Sequence, residues 1–353
     1  MGCSCCNSFK EIEYYGIKNM SPKKTIRLEE NVLVTSMLQL EKSRILCGDN
    51  TGNLIVYEID NQGNYSSITR NNKHDKEPIF SLCKLNNGAI VSASVDKLVI
   101  WEFSENKLNV KDEYEINGDI DKVISLNGDN NKFAVGYRYN SQSTIIISIY
   151  EYNSKSPSKE AIKILPEEQE NPDTMLHSIF HLKFNNFLVS SCKSSSEGHL
   201  SFWDIDAEII QHTIPNLCTN TSNGMIEFPP DLFVVASSNS TFVILKLDTY
   251  EIIKIIEDKT QDMFNPGLIS FNIFKDESLL YASCGKFGQI LIRGKNSALK
   301  YFFEHKEKFR GNGLIINLNE RFIIVDNDEN EDNKGALSVL EFDFLKIQEK
   351  VQE

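Results

Sequence analysis

The chain opens Met1-Gly2-Cys3-Ser4-Cys5-Cys6, residue types that can carry lipid. Loss of Met1 leaves Gly2 as an amine open to N-myristoylation, and three thiols follow where S-palmitoylation can reach them. Position six holds Cys6 where the usual myristoylation pattern has Ser or Thr, and the next serine is Ser8. One myristoyl chain binds a bilayer only marginally, on the order of 10⁴ M⁻¹, so a stable anchor needs further acyl chains or a basic patch. The basic patch is missing. Within residues 1–30, Lys10, Lys18, Lys23, Lys24 and Arg27 are offset by Glu11, Glu13, Glu29 and Glu30, and the 353-residue chain carries a formal charge of −13. An anionic leaflet repels such a chain. Attachment is therefore expected through Gly2, Cys3, Cys5 and Cys6 together. The same thiols make a poor metal site, because no His or further Cys stands at ligand spacing.

The other reactive residue types do not gather. The six histidines assemble no Ser-His-Asp or Cys-His set, so no catalytic residues are expected. His177 and His181 would suit a metal on a helix. In a strand over Leu176–Phe184 they share a face as partly exposed polar positions. The run Asp326-Asn327-Asp328-Glu329-Asn330-Glu331-Asp332 starts like a calcium loop but has Glu331 where the glycine is required and Leu337 where the closing glutamate belongs. It is expected to be a solvated turn. Gly311-Asn312-Gly313 lacks the lysine and the helix of a phosphate loop. No cofactor or metal is expected. The acidic balance also argues against nucleic-acid binding, which needs a basic face. Cys47, Cys83, Cys192, Cys218 and Cys284 are scattered singly and are expected as small buried hydrophobes in a reducing compartment. There is no secretory leader and no run of eighteen apolar residues, so the expected place is the cytoplasm, at the inner face of a membrane.

What must position any surface here is a repeat. One pattern recurs: an apolar strand, a second strand ending in small residues, a turn, and a third strand ending in a bulky residue followed by an acid. The third-strand ends line up as Tyr57-Glu58, Trp101-Glu102, Tyr150-Glu151, Trp203-Asp204, Leu247-Asp248, Arg293-Gly294 and Leu340-Glu341, between 44 and 53 residues apart. More polar alternating segments follow, Tyr65–Arg70, Leu108–Ile116, Ala161–Leu165, Ile209–Ile214, Ile252–Ile256 and Leu299–Phe303, each suited to an outermost strand. Helical periodicity is confined to Phe344-Ile347-Val351, which fits a strand equally well.

The segment from Ser92 to Glu102, with Asp96 at its turn and Trp101 near its end, resembles the strand–turn–strand signature of WD repeats. His74 to Leu82 resembles the stretch that opens those repeats, with Lys73 in place of the glycine, and Glu197 to Asp204 resembles a turn with the final Trp-Asp. The resemblance is specific in these two units and covers about residues 24–343 as an architecture. It implies a hydrogen-bonded chain of His74, Ser92 or Ser94, Asp96 and Trp101, with Trp203 in the equivalent place of the fourth unit. It also implies that loops on the narrower face meet protein partners, here Tyr137, Arg138 and Tyr139, Met263 and Phe264, and Phe309 and Arg310.

The expected fold is all-β, a seven-bladed WD-type β-propeller of four-stranded antiparallel blades over 24–343. It has a flexible acylated tail over 1–23 and a C-terminal tail over 344–353. The seventh outer strand is expected from Lys24–Leu28, pairing with Ala336–Phe342 to close the ring, with Leu345–Val351 as the competing choice. The expected function is a non-catalytic scaffold or adaptor, a monomeric ring that binds other proteins at the membrane. A soluble subunit of a ubiquitin ligase receptor or of a cytoskeletal or ciliary assembly is the alternative, followed by an enzyme using the central cavity.

Overall fold

β-branched and aromatic residues in short runs, broken by Gly, Asn and Asp turns, give strands and no helix among the described residues. The computed structural model describes residues 24–27, 32–126, 131–139, 144–153, 160–168, 174–194, 198–219, 224–228, 231–236, 241–257, 267–271, 280–284, 289–294, 299–304, 314–318, 322–329 and 334–341, the sixth sheet by its backbone alone. After β1 (Lys24–Arg27) the strands come in fours. The first sheet holds β2 (Val34–Glu41), β3 (Arg44–Asp49), β4 (Asn53–Ile59) and β5 (Tyr65–Asn72). The second holds β6 (Ser81–Lys84), β7 (Ile90–Ala93), β8 (Lys97–Ser104) and β9 (Lys107–Glu115). The third is β10 (Asp119–Ser125), β11 (Lys132–Arg138), β12 (Thr144–Glu151) and β13 (Lys163–Glu168), and the fourth is β14 (Met175–His181), β15 (Phe187–Lys193), β16 (Gly198–Asp204) and β17 (Ile209–Pro215). The fifth is β18 (Met225–Phe228), β19 (Leu232–Ala236), β20 (Thr241–Lys246) and β21 (Ile252–Glu257), and the sixth is β22 (Gly267–Phe271), β23 (Leu280–Cys284), β24 (Gln289–Gly294) and β25 (Leu299–Glu304). Only three strands remain for the last sheet, β26 (Ile315–Asn317), β27 (Phe322–Glu329) and β28 (Lys334–Glu341). Its fourth is β1, antiparallel to β28 with Lys24 opposite Val339 and Arg27 opposite Ala336.

Within each sheet the second and third strands put one residue pair in the same place: Ile45 opposite Tyr57, Ile90 opposite Trp101, Phe133 opposite Tyr150, Leu188 opposite Trp203, Tyr281 opposite Arg293, Ile323 opposite Leu340. In the fifth sheet the pair is Phe233 with Leu245, two residues before the expected Leu247. The outer strand settles the assignment, because it bulges beside that position, at Ile68, Lys111, Gln211, Ile253 and Lys300, opposite the steps into Tyr57, Trp101, Trp203, Leu245 and Arg293. The expected turn at Asp326–Asp332 is corrected too. Asp326, Asn327, Asp328 and Glu329 are strand, facing Leu337, Ala336, Gly335 and Lys334.

The sheets lie face to face in a propeller-like arrangement. Their first strands meet their counterparts in the next sheet, β2 with β6, β6 with β10, β10 with β14, β18 with β22, β22 with β26 and β26 with β2. Apolar cores fill the spaces between. Trp101 and Leu46 share one, Phe133 and Val91 the next, Trp203 and Ile147 a third, Phe202 and Phe233 a fourth. A further core joins Ile45, Val34 and Ile55 of the first sheet to Ile324, Leu337 and Val339 of the last, with Ile26 of β1 inside it.

Small residues at the ends of second strands make this stacking possible. A Cβ on Gly48 would lie 2.5 Å from Ser36 Oγ and 2.8 Å from Ile79, and one on Gly136 would lie 2.3 Å from Leu176 Cδ2. Polar clamps add direction. Thr35 and Ser36 each donate to the Ile79 carbonyl at 2.7 Å, and Ser81 Oγ both donates to the Val123 carbonyl (3.0 Å) and accepts from its N–H (3.1 Å). Lys84 Nζ donates to the Leu40 carbonyl at 2.7 Å, the Glu227 carboxylate accepts from Lys183 and Phe184 N–H, and Gln39 Nε2 donates to the Leu318 carbonyl.

Candidate functional site

The second sheet buries a polar chain. Trp101 Nε1 can only donate, and it donates to Ser92 Oγ at 2.7 Å. Ser92 Oγ lies 2.7 Å from His74 Nε2, and His74 Nδ1 lies 2.8 Å from Ser94 Oγ. Ser92 Oγ also lies 3.4 Å from the Val99 carbonyl and Ser94 Oγ 3.4 Å from the Lys97 carbonyl, so both tautomers of His74 find partners on either ring nitrogen. Burial holds the imidazole neutral and pushes its pKa down to about 4, and the Lys97 ammonium works in the same direction. His74 is 1% exposed, so its ring is out of a substrate's reach. Asp96 is exposed on the turn, outside this chain, whereas the resemblance placed it within. In the fourth sheet the buried Trp203 donates to Ser190 Oγ at 3.0 Å.

His177 and His181 do not form the pair of equivalent positions that simple alternation suggests. His177 is the extra residue of a bulge between Leu176 and Ser178, and His181 is buried with Nε2 2.8 Å from Asn186 Oδ1. No group of His, Cys, Asp or Glu fit for a metal occurs among the described residues. Cys47, Cys83, Cys192 and Cys218 are buried free thiols, with Cys83 pushed up to about 12 by burial.

Of the residues assigned to partner contact, Tyr137 packs in the core between the second and third sheets, its hydroxyl 3.1 Å from Ser148 Oγ. Arg138 and Tyr139 lie beside it at the end of β11, both half-buried, with Arg138 Nη2 3.5 Å from Asp119 Oδ2. Sequence reasoning missed their neighbour Asp121, the bulged residue of β10. Burial raises its carboxyl to about 7, with Arg138 pulling the other way and Asp119 adding to the rise. Asp121 Oδ2 and Arg138 Nε are both buried without a hydrogen-bond partner among the described residues. Gly118 permits the approach of this loop, since its φ of +159° and a Cβ only 2.2 Å from the Arg138 carbonyl leave no room for a side chain. Met263, Phe264, Phe309, Arg310 and the lipidation residues Gly2, Cys3, Cys5 and Cys6 lie outside the described residues.

A scan against protein-family models and a search of curated proteins each return no match.

Proposed function

We propose that the seven sheets are blades of a closed WD-type β-propeller and that the chain is a non-catalytic scaffold for proteins, tethered by lipid to the cytoplasmic face of a membrane. The ring is supported by the core between first and last sheets, by the Gln39–Leu318 bond and by β1 completing the last sheet. Ring closure hides sheet faces that no single blade can bury alone. The observation that carries the function is the Gly2-Cys3-Ser4-Cys5-Cys6 terminus ahead of β1. Acyl chains there fix location, and the rigid ring raises the local concentration of whatever its loops hold. Arg138 and Tyr139, half-buried at the end of β11, are the proposed partner contact. Alkyne-tagged myristate and palmitate, with membrane fractionation, test the tether in wild type, Gly2→Ala and the Cys3/Cys5/Cys6→Ser triple. Both labels on a membrane-bound wild type, with cytosolic variants, support it. A soluble, unlabelled wild type replaces it with a soluble subunit of a larger complex.

A further inference from the structure

Outer strands of a stacked-sheet protein carry a row of main-chain groups that no neighbouring strand satisfies, and natural edges are blunted with charge or proline. Here β5 is largely polar, β9 carries Lys107, Lys111, Asp112, Glu113 and Glu115, and β13 contains Pro166. The strand β21 runs Ile-Ile-Lys-Ile-Ile-Glu, with Lys254 the one charge before its end and no proline. Ile252, Ile253 and Ile255 are 46%, 51% and 57% exposed, and Ile252 and Ile255 lie on one face, opposite Leu245 and Val243, so this edge shows a row of apolar side chains. Its bulge at Ile253 lies near the turn, and Lys254 to Glu257 pair regularly with Ile244 to Thr241. The next outer strand, β17, adds exposed Ile209 and Ile210. Tyr250, at the start of the fifth sheet's outer hairpin arm, stacks on His212 of β17 with ring centroids 4.7 Å apart, joining the two edges into one surface.

Charge frames one end of this surface. The turns entering β17 and β21 carry Asp204, Asp206, Glu208, Asp248 and Glu251. The nearby cations are Lys163, close to Asp206 and Glu208, and Lys246, 2.7 Å from Asp248. We infer that β21 takes up an extended segment of a partner protein as an added antiparallel strand. That segment has β-branched residues at alternate positions and Lys or Arg following them, because the C-terminal end of an antiparallel partner lies at the acidic turns. A bilayer fits poorly, since hydrocarbon offers nothing to satisfy the main chain of an edge strand. A second copy paired antiparallel would set its own Glu257 end against each acidic turn, on chains of charge −13. The inference deepens the scaffold reading but does not depend on the lipid tail.

The probe is a fluorescent acetyl-Thr-Val-Thr-Val-Thr-Val-Arg-Arg-amide peptide, with a Glu-Glu-ended version as control. Fluorescence anisotropy reads binding by the full chain without membranes, so a failed acylation test leaves this assay unaffected. The expected result is binding of the basic peptide and slowed amide exchange along Lys254–Glu257. Binding should weaken about tenfold for the acidic peptide and for Ile255→Lys, a loss equivalent to about 1.4 kcal/mol. Ile255 is exposed, and an unchanged melting curve for Ile255→Lys shows that the fold is intact. Four results each overturn the inference: no binding of the basic peptide; equal binding of both peptides; dimerisation in sedimentation that Ile255→Lys abolishes, making a second copy the occupant; and vesicle binding that Ile255→Lys abolishes, making lipid the occupant.

Discussion

At residue scale, the buried chain Trp101–Ser92–His74–Ser94 ties a turn-proximal histidine to the middle of the second sheet. Ser92 is its centre. Ser92→Ala strands the Trp101 N–H and His74 Nε2 in the core and should lower stability by about 2–3 kcal/mol in urea unfolding. Ser94→Ala leaves the Trp101 bond in place and should cost less. The histidine also sets a pH dependence. Its folded pKa of about 4 lies below the ordinary 6.5, so between those values the unfolded chain binds more protons. The contribution is complete above pH 6.5 and is lost as pH falls towards 4, a change on the order of 3 kcal/mol. Asp121, raised to about 7, acts in the opposite sense, favouring the fold below that pH. The difference between wild type and His74→Gln across pH 4–7 in urea melts isolates the histidine, and equal slopes would refute this account. The serines, the histidine and the tryptophan were legible in the sequence through its resemblance to WD repeats. Asp96 was not, because its exposed position on the turn depends on backbone geometry that residue type does not report. Asp121 was missed for a similar reason, since the bulge that buries it has no residue signature.

At the scale of elements, the period, the strand order and the outer strands were legible because alternation and turn residues repeat with little variation. The fifth sheet was misaligned by two residues for a physical reason. Leu245 in β20 and Leu247 just after it are two residues apart, both are buried, and Asp248 after Leu247 imitates the acid of the other units. The acid there instead pairs with Lys246 at 2.7 Å. The small residues ending second strands were also visible, but their purpose needed the neighbouring sheet. Gly136→Ala drives a methyl into Leu176 and should cost about 1–3 kcal/mol. Leu176→Ala makes a cavity by itself, yet in combination it should recover part of the Gly136→Ala loss. A double-mutant cycle in urea with no coupling between the two sites would show that the sheets do not meet there.

At the scale of the molecule, apolar cores join the first five sheets in turn and the last sheet to the first, so stability is expected to be cooperative across them and most sensitive where β1 joins the last sheet. Removal of residues 1–27 takes Ile26 out of the core between first and last sheets and uncovers the edge of β28. Differential scanning calorimetry should show a loss of more than about 3 kcal/mol for this truncation, with aggregation of the bared edge. Removal of residues 1–23 keeps β1 and should melt like the full chain. A matching melt for both truncations would place the closure elsewhere, as with the Leu345–Val351 segment. The pairing of Lys24 with Val339 also has a bearing on synthesis. β1 is made before the strands of six whole sheets, and its partner β28 only after them. Earlier sheets can assemble as they emerge while β1 waits unpaired, so each newly made chain passes through a stage in which its leading strand must be kept from the wrong edge, β21 among them.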